Sequence, residues 1–151
     1  MALADDINLL AQIPLFSGMS DDQLRLIAFG ADRRFVPEGQ LLFREGSPAE
    51  SAYVVVDGQI ELSRLNRSGD SVVDMVVGRG ALLSELALIT FVERKYTALA
   101  VRDCGVLRLT RPLFHRLIEE YPSTAEIIAN RIRDNIAALA AKAAAELHRF
   151  T

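Results

Sequence analysis

The sequence predicts an α+β fold: an antiparallel β-roll, jelly-roll-like and of about eight strands, with helices before and after it. Three observations carry this. Helical periodicity is confined to the two ends of the chain. The middle alternates short β-branched and aromatic runs with glycines at 39, 46, 58, 69, 78, 80 and 105, the spacing of many short strands joined by turns. The length of 151 residues suits one domain, 1–151, that buries about two-thirds of its unfolded surface. It divides into N-terminal helices (1–30), the roll (31–110) and a C-terminal hinge with a long helix (111–151).

In the first part, Leu9, Leu10 and Ile13 are spaced for one helical face, and Pro14 ends that turn. Ser20 followed by Gln23 is a capping box ahead of Leu24, Ile27 and Phe29. A second helix therefore runs to about Gly30. Arg33-Arg34 reads as the solvated start of a strand.

In the middle, Ala52–Asp57 is a strand stopped by Gly58, and 59–64 alternates with Ile60 and Leu62 on one face. Asn66–Asp70 is a polar turn before the strand 71–77. Two more strands follow at 97–101 and 105–110. Between 71–77 and 97–101, segment 82–89 bunches its apolar residues around a single acid, Glu85, which fits a short inserted helical turn better than a strand. Cys104 reads as a small core or turn residue with no redox role.

In the last part, Pro112 suits a first helical turn, and Leu113, Leu117 and Ile118 share a face. Tyr121-Pro122-Ser123 interrupts it, and Ser123 with Glu126 predicts a new capped start. Ile128, Ile132, Ile136, Leu139, Ala143 and Leu147 then form an apolar stripe at helical period. That stripe either packs on the roll or makes a dimer seam. Arg131 and Arg133 read as an ordinary solvated face.

Composition narrows the function. Seventeen Lys+Arg against 20 Asp+Glu give a net charge of -3, which argues against a generally basic nucleic-acid binder. A single cysteine and two distant histidines, His115 and His148, offer no metal-ligand cluster. No nucleophile constellation or dinucleotide fingerprint is present, so no enzyme activity and no cofactor are expected. Without a signal peptide or a spanning apolar run, a cytoplasmic chain with no membrane contact is expected.

The segment Gly80-Ala81-Leu82-Leu83-Ser84-Glu85-Leu86-Ala87-Leu88-Ile89, with Arg94 nine residues past the glutamate, resembles the phosphate-binding cassette of cyclic nucleotide-binding domains. Segments 13–20, 42–46 and 53–58 resemble that family's flanking elements in the right order. The likeness covers roughly 10–120 and is closest to the sensor domains of catabolite activator protein-like, Crp-Fnr-type regulators. It implies a roll that encloses cAMP or cGMP. It implies that Glu85 accepts from the ribose 2′-hydroxyl and that Arg94 pairs with the cyclic phosphate, as suits a carboxylate and a guanidinium. Leu83, Ser84, Lys95 and Tyr96 complete the implied ligand-binding set. The turn after Ser84 would aim backbone N–H groups at the phosphate.

Three positions depart from the family pattern. Ser84 stands where glycine is usual, and Lys95 and Tyr96 stand where small residues are usual. Glu85 and Arg94 could instead pair with each other across a remodelled pocket. The chain ends at Thr151, shortly after the long helix, where the related regulators continue into a helix-turn-helix domain. The expectation is thus a stand-alone sensing module with no direct DNA binding. It would dimerise through helix 124–149 and signal through that helix to a separate protein effector. The alternative is an interaction scaffold whose pocket no longer takes nucleotide.

Overall fold

A computed structural model describes residues 3–149, with side chains described through Asn135. Two helices come first, α1 (Leu3–Ala11) and α2 (Asp21–Gly30), joined through a 3-10 turn at Pro14–Phe16. Ser20 and Gln23 form the expected capping box on α2. Ten strand segments follow, against the eight expected: β1 (Asp32–Val36), β2 (Leu41–Phe43), β3 (Pro48–Ala49), β4 (Ser51–Asp57), β5 (Ile60–Leu65), β6 (Ser71–Val77), β7 (Leu82–Leu83), β8 (Val92–Glu93), β9 (Thr97–Ala100) and β10 (Cys104–Thr110). The surplus comes from β3, β7 and β8, which are two residues long and exist only through their pairing partners. Helices α3 (Arg111–Glu120) and α4 (Pro122–Arg149) close the chain. α4 begins at Pro122, so Ser123 lies inside its first turn rather than capping it. No helix among the described residues is long and apolar enough to cross a membrane.

The strands pair antiparallel into two four-stranded sheets, ordered β1-β10-β4-β7 and β2-β9-β5-β6, with β3 and β8 forming a small ribbon between. Two cores result. Tyr53, Val55, Ile60, Leu62, Leu83, Ala98, Ala100, Cys104 and Val106 fill the interior of the roll. Ala52, Val54, Val56, Leu107 and Leu109, on the opposite face of the same sheet, meet the helices at Leu9, Leu10, Phe16, Leu24, Phe114, Leu117, Ile128 and Ile132. Strand alternation explains the split, since successive side chains of β4 and β10 face opposite cores.

The helical layer is fastened at polar points the sequence does not advertise. Asp6 is buried in α1, and Arg33 Nη2 reaches both of its oxygens at 2.5 and 2.6 Å. Arg33 is therefore a tie rather than a merely solvated strand start. Arg131, expected on a solvated face, donates from Nη1 to the Leu15 and Ser17 carbonyls at 3.0 and 2.7 Å. It satisfies the open end of the 3-10 turn and pins α4 to it. Ile128 and Ile132 of the apolar stripe are buried against the chain's own core. The rest of the stripe, Ile136, Leu139, Ala143 and Leu147, lies outside the residues whose side chains are described. On α3, Phe114 takes the buried position expected of Ile118, which stands exposed. Cys104 is buried and donates to the Gln59 and Arg102 carbonyls. Burial pushes its thiol pKa up, which favours an unreactive thiol.

Candidate functional site

A cavity of about 410 Å³ opens where the roll meets the segment after β7. Its walls are largely apolar: Phe43 from β2, Leu62 from β5, Met75 and Val77 from β6, and Leu83 and Leu86 from the cassette. The polar side chains at its edge are Ser84, Glu85, Glu93, Lys95, Tyr96 and Asn135. Five of the six sequence-predicted residues, Leu83, Ser84, Glu85, Lys95 and Tyr96, therefore converge on one space.

Local sequence explains how the cassette is held. β7 pairs with β4 through Leu82 with Val54 and Leu83 with Tyr53. Ser84 then turns the backbone with φ 63° and ψ 39°, and is the residue other than glycine with positive φ among those described. This left-handed step replaces the helix start expected at 82–89 by a single 3-10 turn, Glu85–Leu88, beginning at the acid. Its buried residues, Ala87 and Leu88, anchor the turn, and Leu88 reaches the helical core. Glu85 is thereby directed to the cavity. A four-residue turn can offer a few N–H groups to an anion but only a small aligned dipole.

The left-handed conformation of a serine costs about 1 kcal/mol relative to glycine. Ser84→Gly is accordingly expected to raise the melting temperature by about 2 to 4 °C. A lower melting temperature in the calorimeter would mean that the Ser84 side chain holds the turn rather than straining it.

Arg94 takes a different place. It is 6 % exposed and is not among the cavity-lining residues, although its chain neighbours Glu93 and Lys95 are. Backbone bonds fix it against the segment before β3: its N–H donates to Ser47 O, and its carbonyl accepts from Gly46 N. Its guanidinium carbon lies 4.5 Å from the Phe43 ring centroid and 5.3 Å from that of Tyr53. Nη1 donates to Ser51 O at 2.7 Å, and Nη2 to Ser51 Oγ at 3.4 Å. Nε is buried without a partner. Burial lowers the Arg94 pKa, with Tyr53 and Glu50 opposing that shift and Arg108 adding to it. The alternative pairing of Glu85 with Arg94 is not formed. The ion pairs among the described residues join Arg25 to Asp22, Arg33 to Asp6, Arg64 to Asp74 and Arg108 to Asp32.

Several site residues escaped the sequence reading. Phe43 and Tyr53, stacked with centroids 5.9 Å apart, were findable in principle, because Tyr53 shares the inward parity of Val55. Ser51 follows from the same parity. Asn135 was not findable: it is an exposed residue three positions after Ile132, and no spacing marks it.

Comparison with known proteins adds three findings. The family model for the cyclic nucleotide-binding domain matches residues 33–121. The Cyclic AMP receptor protein of Thermus thermophilus is 31% identical over 125 residues, which is 80% of this chain and 58% of that protein. The chain thus spans little more than half the length of that relative. Among solved structures, a cyclic nucleotide-binding-like protein from Brucella abortus is 42% identical with a TM-score of 0.69, covering 76% of this chain and 98% of that one. The regulatory domain of Toxoplasma gondii PKA, solved as a co-crystal with cAMP, is 28% identical with a TM-score of 0.70, over 76% of this chain and 43% of that one.

Proposed function

The chain belongs to the cyclic nucleotide-binding domain family, and from that membership we propose that it is a non-enzymatic sensing module whose cavity takes cAMP or cGMP. The observation that carries this is the convergence of Glu85 with Ser84, Leu83, Lys95 and Tyr96 on one cavity of about 410 Å³. That volume lies within the range of small-molecule pockets. In this reading the apolar walls receive the base, Glu85 accepts from the ribose hydroxyl, and Arg94 and Lys95 meet the cyclic phosphate. Lys95 is at the cavity already. Arg94 must turn toward it.

Asn135 brings α4 to the edge of the same cavity, which supports a route from ligand to helix. We read α4 as the output: it would dimerise through 124–149 and present a surface to a separate effector in the cytoplasm, without contacting DNA or membrane itself. Calorimetry with cAMP and cGMP tests the ligand assignment. Wild type is expected to bind one of them saturably, and Glu85→Ala to bind it about tenfold more weakly, the worth of one charge-assisted hydrogen bond. No saturable binding at millimolar ligand would remove the assignment.

A specific observation favours a second reading. Arg94 does not line the largely apolar cavity, which suits a scaffold whose roll is kept for its shape. The same calorimetric result separates the two.

A further inference from the structure

The position of Arg94 is held by contacts of unlike kinds. It lies near two adjacent aromatic rings, at 4.5 and 5.3 Å from their centroids, and a cation there is attracted by their negative faces. Two of its nitrogens have Ser51 as acceptor. Its charge has no contacting counter-ion: Arg94 forms no ion pair among the described residues, Glu50 attracts it only at longer range, and Nε is buried without a partner. A second cation shares its acceptor, for Arg108 Nε donates to the same Ser51 Oγ at 3.2 Å. A buried guanidinium with no counter-charge in contact is poorly placed. Phe43, meanwhile, is both a wall of the cavity and the ring beneath the guanidinium.

Resting on the nucleotide reading above, we propose that Phe43 and Tyr53 form an aromatic shelf that seats Arg94 away from the cavity, and that an anionic ligand grips Arg94 only by drawing it off this shelf. The shelf is then a regulator of affinity. Whatever fraction of molecules keeps Arg94 seated reduces the apparent affinity by that fraction. An anion supplies the missing counter-charge, and the rings and Ser51 set the threshold it must exceed. Ser51 and Arg108 link the seat onward to Asp32, which Arg108 Nη1 reaches at 3.2 Å.

Tyr53→Leu removes one ring face without altering a cavity-lining residue. It is expected to tighten cAMP binding roughly three- to tenfold, the population shift a single ring face commands. Phe43→Leu should change affinity in the same direction. Unchanged or weaker binding in both variants overturns the shelf. Should the core substitutions fail to fold, the wild-type protein answers by ¹⁵N-edited NMR of the Arg94 Nε–H. That resonance is expected to be ring-shifted before nucleotide is added and to lose the shift at saturation. A resonance that stays put while cAMP binds overturns the shelf and leaves the nucleotide reading intact. If wild type binds neither cAMP nor cGMP, the nucleotide reading falls, and inorganic phosphate titrated into the same sample decides the shelf. Loss of the ring shift at high phosphate supports it, and no movement overturns it.

Discussion

Gly58→Ala is expected to destabilise the chain by about 3 to 5 kcal/mol, enough to unfold much of it at physiological temperature. Gly58 links β4 to β5 with φ +88°, a conformation that L side chains rarely adopt. A methyl group there would fall on the Asp103 carbonyl oxygen and come within 2.6 Å of Cys104 Sγ. Neither can yield easily, because Cys104 opens β10 within the roll core and its Sγ donates to the Gln59 carbonyl. Gly69, in the turn between β5 and β6, has a similar φ of +82° but open space around it. Gly69→Ala should therefore cost only the conformational strain, about 1 to 2 kcal/mol. The difference between the two variants in urea denaturation isolates the close packing. Equal losses would mean that the roll relaxes around an added methyl group.

The second large effect is expected at Arg94 and has two opposed parts. Arg94→Met keeps an unbranched apolar stem under the rings and removes the charge. Affinity for cyclic nucleotide should fall roughly a hundredfold, since a charged bidentate grip on phosphate is lost. Stability measured without added nucleotide should stay level or rise by about 1 kcal/mol, because an apolar side chain replaces a buried, unpaired cation. Calorimetry and thermal melts on the same preparation read both. A fall in stability alongside the fall in binding would mark Arg94 as a structural pillar of the roll rather than its ligand-gripping group.

Much of this architecture is legible in the sequence, and the legible parts share a physical cause. β4 and β5 announce themselves because β-rich runs are followed by turns at Gly58 and Gly69, both with positive φ, and β6, β9 and β10 by their runs of strand-forming residues alone. α2 does so because Ser20 and Gln23 cap it reciprocally. The cassette is legible because its residues are close in sequence, and Ser84 is informative because a serine in the left-handed region is conspicuous wherever glycine is usual. What stays hidden is hidden for equally definite reasons. The extent of β1 is hidden because it is an edge strand exposed along most of its length, so only its start at Arg33-Arg34 is marked and no alternation follows. β3, β7 and β8 are too short to carry a pattern. The direction of Arg94 is set by Phe43 and Tyr53 on strands far back in the chain, and an arginine's long stem lets one Cα serve either destination. Arg131 looks solvated by composition and is fixed instead by two carbonyls of the 3-10 turn.

β4 carries a consequence beyond folding. Six of its seven residues, Ser51 to Val56, are buried, some toward the helices and some toward the interior of the roll. Such a strand has almost no position at which drift is silent. Substitutions at Ser51 or Tyr53, which hold Arg94, must leave Ala52 and Val54 undisturbed on the reverse, and the converse holds for the helical side. The freedom to diversify this protein therefore lies elsewhere, in exposed turns such as that around Gly69, while β4 constrains how independently its two sides can evolve.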